Sequence, residues 1–430
     1  MLSGFFVTGL GIVVTALKYP LYLHFLGYEV YGAWLMLVTL ISMAQFGMLG
    51  IGPAITKLVS EELGNCDYDA IGKYISTAIV TLFVSGLAII SLILFFQSTV
   101  LRLLGFEGSS LAIGEEYIFY ICALTLYVFL YQGINATIAG LGRMDISNYS
   151  KLAVQLVPLL ISIPMLMLGK GVLSLLIGNA FAYFVVSIAN VIFILKCSEV
   201  RPSMFFSVSL VHSKKLIKFG VPVLGSSITT ILFLPITKIF ISNYVGLSFV
   251  PIYEVASRAA IQVQGLFSMG FKSLLPEFSK LHAESTCHSY EKFKKIQRKA
   301  FLISIIGGLL VCVCVFTFCP LIFRFWLGGE YRPEMSTVTR IMLVGVFLSI
   351  TTLVPYNNLL ALRETTKFFI YHLVFSTINT LALVVIFIIL GFQSVVWAAF
   401  ANTIGWFFGW CYLFPQDYIR QRNMKQARLL

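Results

Sequence analysis

The chain has 430 residues, 59% of them hydrophobic and only 11% charged, with a formal net charge of +12. A soluble domain carries roughly 25% charged residues, so this chain lacks the polar surface that water contact demands and reads as a polytopic membrane protein. Each crossing of a hydrocarbon core about 30 Å thick takes about 20 apolar residues, so only short loops remain, and both a large catalytic domain and a nucleic-acid reading of the charge are excluded.

Apolar runs bounded by charges or by Gly, Pro and Asn clusters give twelve expected spans. They lie at 2–26, 30–50, 71–96, 117–141, 152–168 and 172–195 in the first half, and at 216–244, 251–275, 300–319, 338–360, 368–390 and 395–413 in the second. Helix is the state expected of all of them, because lipid cannot satisfy an open backbone and the alternation of a barrel strand is absent. The first run lacks a positive leader and outruns a signal-peptide core, so it reads as a retained helix. The fold class is therefore an all-α membrane protein with a six-helix lobe at 1–200, a cytoplasmic linker at 201–215 and a second six-helix lobe at 216–430 ending in a short basic tail.

Lys and Arg set the sidedness. One face of the membrane collects twenty-two of them, with seven between Lys272 and Lys299 and four from Arg420 to Arg428. The other face holds five: Arg102, Lys170, Arg324, Arg332 and Arg340. Basic residues are retained inside, so both termini are expected to be cytoplasmic. The basic segment 272–299 interleaves Phe278, Leu281, Tyr290, Phe293 and Ile296 with its charges. It reads either as an amphipathic helix lying on anionic membrane lipids or as a plain retention signal. Asp67-Tyr68-Asp69 has the form of a metal-binding DxD, but its place directly before a span suits a helix cap. The eight cysteines show no metal-ligand spacing, and no cofactor is implied.

The two halves repeat weakly. Leu26-Gly27 recurs as Val245-Gly246, Lys18 as Lys238, and Asn135, Ala139 and Tyr149 as Asn357, Ala361 and Tyr371, at offsets of 219, 220 and 222 residues. A parallel repeat of this kind is a transporter architecture. Three cations fall inside spans: Lys18, Lys238 and Arg258. Each such charge costs about 2.5–3.5 kcal/mol on insertion scales, so each needs a reason. Counting 1.5 Å per residue, they lie about 9–10 Å below the outer ends of their helices. Snorkelling is one explanation. Glu254 precedes Arg258 by one turn and suits it as a partner, whereas neither Lys18 nor Lys238 has a carboxylate in its own helix. Both are expected to be unpaired and to face a cationic cavity that takes an anion. Gln132, Asn135 and Asn357 are candidate sugar contacts, or polar pins between helices.

Leu26-Gly27-Tyr28-Glu29-Val30-Tyr31-Gly32, then Phe46-Gly47 and Gly52-Pro53-Ala54 with Lys57, resemble the opening of the Wzx-type O-antigen and polysaccharide repeat-unit flippases, whose superfamily also holds the MATE multidrug exporters. Ala136-Thr137-Ile138-Ala139-Gly140-Leu141-Gly142-Arg143, Phe219-Gly220-Val221-Pro222, and the stretch from Lys238 to Gly246 followed by Ile252-Tyr253 and Arg258 fit the same family. The resemblance implies two pseudo-symmetric six-helix bundles forming a V, alternating access, and movement of an undecaprenyl-diphosphate-linked oligosaccharide, as part of lipopolysaccharide or other surface polysaccharide biosynthesis. A polysaccharide polymerase and a chain-length regulator are the partners it suggests. One departure stands out: Thr237 occupies a position where relatives often carry Asp before the cation. On this reading the protein is not an enzyme. The rivals are a MATE-like small-molecule antiporter, which needs an intramembrane acid, and a membrane polymerase or glycosyltransferase, which needs a long outer loop.

Overall fold

The computed structural model describes residues 2–197, 208–284, 287–362 and 364–427, and among them every regular element is helical. In chain order the helices are α1 (Leu2–Ala44), α2 (Ile51–Gly64), α3 (Tyr68–Phe95), α4 (Gln97–Leu103), α5 (Ser109–Gly140), α6 (Met144–Met167) and α7 (Val172–Cys197). They continue as α8 (Leu210–Tyr244), α9 (Val250–Gly270), α10 (Leu274–Glu284), α11 (Cys287–Leu327), α12 (Pro333–Ala361), α13 (Thr365–Leu383, prolonged by a π turn over Val384–Ile389) and α14 (Val395–Ala427). Eight stretches of the described residues are long and apolar enough to cross a membrane on length and composition. The polar-laden α8, α9 and α14 coincide with the remaining expected spans. Large apolar side chains stand exposed along α3, α7 and α11, among them Val84, Phe95, Phe184, Ile306, Leu310 and Phe325. An apolar surface of that extent belongs against hydrocarbon.

Two compact units divide the chain, Met1–Ile231 and Leu232–Leu430. Of the linker expected at 201–215, residues 201–207 lie outside the described residues, and 210–215 form the first turns of α8.

Within the first unit α1 is two spans joined by a kink. Gly27 has φ 69° and ψ 177°, which a residue with a Cβ avoids. The rings of Tyr22 and Tyr31 meet at 5.9 Å, so the chain doubles back at that glycine. Gly246, its partner in the repeat, also has a positive φ of 121° and separates α8 from α9. Helix α2 was not expected; its segment reads from sequence as a loop. Ile51, Ala54, Ile55 and Val59 repeat at helical spacing and are buried against Tyr74, Ile75, Phe129 and Ile138 of α3 and α5. Each fully buried Ile or Val there contributes roughly 1.5–3 kcal/mol relative to exposure. The hydroxyl of Thr56 donates to the Ala136 carbonyl at 3.0 Å and that of Ser60 to the Gly140 carbonyl at 2.8 Å, fixing α2 along the end of α5. Leu49 and Gly50, both left-handed, turn the chain into α2. The backbones at Gly50 and Gly220 pass so closely that a Cβ on either would strike the other strand of chain. Asp67 caps α3 by accepting from the Ala70 N–H at 2.9 Å, as its position suggested.

In the second unit the basic segment 272–299 forms α10 and the first turns of α11. Its apolar residues do not lie on lipid: Phe278, Leu281 and Phe293 are buried with Phe271, Ala300 and Val354 in a core of their own. The amphipathic pattern is therefore satisfied by internal packing, and the reading in which this face inserts into an anionic membrane surface is corrected.

Candidate functional site

The charged centre of the second unit is assembled from four helices. Lys238 comes from α8, and Tyr253, Glu254 and Arg258 from α9 one short connection later. Glu254 is 4% exposed and bridges both cations. Its Oε2 lies 2.6 Å from Lys238 Nζ and its Oε1 accepts from Arg258 Nε at 2.9 Å. Lys238 is buried, whereas the Arg258 side chain is 45% exposed. Two cations on one carboxylate leave the cluster with a net charge of +1. Asn379 of α13 and Asn402 of α14 complete the polar layer: Asn402 Nδ2 donates to Tyr253 Oη at 2.9 Å, and Asn379 Nδ2 reaches Thr237 Oγ1 at 3.5 Å. All four of these uncharged residues are fully buried or nearly so.

The expectation of an unpaired Lys238 is thus overturned. Its partner comes from the next helix, beyond its own helical neighbours. Thr237 donates its hydroxyl to the Phe233 carbonyl at 3.1 Å, and Glu254 supplies the negative charge beside Lys238. The same carboxylate does pair with Arg258, as the one-turn spacing indicated.

In the first unit Lys18 lies on the face of α1 that also carries Gly11, Thr15 and Tyr22. That face meets α6: Gln155 Oε1 approaches Gly11, and Tyr22 Oη shares a 2.9 Å hydrogen bond with Ser162 Oγ. Lys18 is partly buried, and among the described residues it has no ion pair or hydrogen bond. Nearby polar residues satisfy one another in part. Ser150 Oγ donates to Asn190 Oδ1 at 2.6 Å, and Tyr131 packs edge-on against Tyr183. Asn135 is buried and its Oδ1 finds no hydrogen-bond partner among the described residues, while Gln132, one turn before it on α5, is half-buried.

Asn357 is half-buried and its amide donates to its own helix, at Leu353 O, 2.7 Å away. The buried member of that pair is its neighbour. Asn358 Oδ1 meets His282 Nε2 at 2.8 Å, and its Nδ2 donates to Asp417 Oδ1, whose other oxygen accepts from Gln297. Asp417, 7% exposed, was hidden from sequence reasoning because it falls beyond the last apolar run, on a helix that continues past it. The only available signal was its lone negative charge among the cations of the tail.

These features define a helical membrane protein with charge held at span depth in each unit. The chain belongs to the polysaccharide biosynthesis protein family, whose model matches residues 1–282. A putative O-antigen transporter from Shigella flexneri is 19% identical over 152 residues, a match spanning only 35% of either chain. Among solved structures, an inward-facing MATE multidrug resistance transporter of the MOP superfamily is similar with a TM-score of 0.78 and 14% identity, over 98% of this chain and 95% of that one. The lipid II flippase MurJ in an inward closed state is similar with a TM-score of 0.75 and 15% identity, over 100% and 91%. A MOP superfamily transporter from Pyrococcus furiosus matches with a TM-score of 0.65 and 16% identity, over 98% and 94%. The chain shares its fold with these structures.

Proposed function

We propose that the chain is a non-enzymatic flippase that moves an undecaprenyl-diphosphate-linked oligosaccharide repeat unit from the inner to the outer leaflet of a bacterial cytoplasmic membrane by alternating access. The observation that carries this reading is net positive charge at span depth: Lys18 without a partner among the described residues, and Lys238 and Arg258 sharing one carboxylate. In a medium of low dielectric a cation is costly alone and strongly attractive to an anion, so a diphosphate headgroup is the complementary cargo. Membership of a polysaccharide biosynthesis family supports the sugar, and likeness to an O-antigen transporter and a lipid II flippase supports a lipid-linked form. Gln132, Asn135 and the Oδ1 of Asn357 are the hydrogen-bonding groups offered to the sugars. An antiporter of organic cations needs spare negative charge among its spans; Glu254, held by two cations, has none to give.

A flippase forms no covalent bond. A strain lacking the gene should therefore build the complete lipid-linked unit and accumulate it on the cytoplasmic leaflet. Sizing the prenyl-diphosphate glycans of the deletion strain by mass spectrometry checks this: a shortened glycan would show that a glycosyltransferase had been lost instead. The orientation proposed with this function, both termini cytoplasmic, rests on the asymmetry of Lys and Arg. Reporter fusions after Leu104 and Gly329 should report outside and fusions after Cys197 and Cys287 inside, and exchanged signals would reverse the direction of transport assigned here.

A further inference from the structure

The basic start of α11 does more than mark sidedness. Lys295, Arg298, Lys299 and Leu302 recur at one-turn spacing and share a helix face, with Lys294 beside them. That face borders a cavity of about 740 Å³ closed on its far side by Val354 and Pro355 of α12 and by Phe414 and Tyr418 of α14. Pro355 and Pro415 lie inside their helices beside this cavity and donate no backbone hydrogen bond. One turn deeper the walls are tied again, because Trp410 Nε1 donates to Thr351 Oγ1 at 3.1 Å.

The charge in the cavity wall is one-sided. Four cations line it against one carboxylate, Asp417, which already accepts from Asn358 and Gln297. Lys294 lies over the Tyr290 ring at 5.1 Å, and among the described residues Lys295, Arg298 and Lys299 have no carboxylate within ion-pair distance. Two apolar routes leave this cationic mouth. One runs up the exposed face of α11 through Leu302, Ile306 and Leu310. The other enters an adjoining cavity of about 460 Å³, which shares Phe414 and Tyr418 and is lined further by Trp410 and Cys411.

We propose that this is a binding site for an anionic phospholipid, its phosphodiester held by Lys295, Arg298 and Lys299 and its two acyl chains following the two apolar routes. A free phosphate has no use for apolar walls, and a single prenyl chain would fill only one of the two paths. Basic pockets beside membrane helices suit lipid phosphates because the cations stand at headgroup level while hydrocarbon begins one turn deeper. The site is separate from the cluster around Glu254, and its test reads binding rather than transport.

Native mass spectrometry of the purified full-length protein, titrated with phosphatidylglycerol, decides it. Phosphatidylglycerol should bind at least tenfold more tightly than phosphatidylcholine, and the variant K295Q/R298Q/K299Q should lose at least tenfold in affinity. Lys295→Gln and Lys299→Gln alone should each lose part of that, so the result does not depend on the triple variant folding. Lys292→Gln, whose ammonium pairs with Glu277 at 3.4 Å outside the cavity, should bind as wild type. Equal binding of both phospholipids, or undiminished phosphatidylglycerol binding by all three cavity variants, would overturn the proposal. So would undecaprenyl diphosphate binding that depends on these cations and that phosphatidylglycerol cannot displace.

Discussion

Lys18→Ala should abolish surface polysaccharide while the amount of membrane-inserted protein stays level or rises. The two halves of this expectation come from one fact, that Lys18 has no ion pair or hydrogen bond among the described residues. A lone ammonium at span depth costs about 2.5–3.5 kcal/mol to insert, and alanine removes that cost. If the charge served only to snorkel toward the interface, its loss would leave transport intact. If it attracts the diphosphate, its loss removes the attraction, and Lys18→Arg should retain much of the activity because it keeps the charge. Polysaccharide immunoblots and membrane immunoblots from the same cells give both readings. Wild-type polysaccharide in the alanine variant would remove Lys18 from the site.

Much of the fold was legible because lipid leaves few choices. An apolar run of sufficient length has to be a helix, and each of the twelve runs coincides with a helical segment. Gly27 and Gly246 were visible as a repeat, and the structure gives the repeat a physical content: both take positive φ where one helical segment must turn into the next. What stayed hidden depends on contacts between helices. The face of α2 looked like part of a loop because its four buried residues are interrupted by Lys57, Leu58 and a proline. Segment 272–299 showed its amphipathic period plainly, yet a period does not say whether protein or lipid will cover the apolar face. The repeat offset singles out Asn357, whereas the buried network runs through Asn358 beside it.

The pairing of Lys238 with Glu254 is the instructive omission, because the numbers needed to see it were in the sequence. Lys238 precedes the end of α8 by six residues and Glu254 follows the start of α9 by four, so consecutive helices joined by a short turn bring the two to similar depth. Opposite charges at one depth on neighbouring helices are each other's natural partners in lipid, since each alone is costly. The contact runs between helices, so the neighbours of Lys238 within α8 do not reveal it. The correction also changes what Lys238 can be expected to do: it sets the state of Glu254 first and meets any cargo second, leaving Arg258 as the more exposed cation of the cluster.

That arrangement fixes the largest expected effect on stability. Glu254→Ala leaves Lys238 with its side chain 9% exposed and no counter-charge. Removing one partner of a buried ion pair costs about 3–5 kcal/mol, so the variant should be poorly produced and should unfold at a much lower temperature in detergent. Replacing both partners by uncharged residues of similar shape removes the burial cost along with the attraction, and such replacements are often neutral or stabilising. The double variant K238M/E254Q should therefore recover most of the stability that Glu254→Ala loses, although Arg258 keeps only the glutamine oxygen as an acceptor. Thermal unfolding of the two single variants, Lys238→Met and Glu254→Gln, beside the double one gives the interaction energy directly, expected within the 0.5–3 kcal/mol seen for residues in contact. The double variant should also separate charge from folding: a stable protein that has lost surface polysaccharide assigns the Lys238–Glu254 pair a part in transport, and one that exports normally confines the pair to the fold. If the single effects simply add, the 2.6 Å contact between Lys238 and Glu254 contributes nothing to the fold, and the account of this cluster fails.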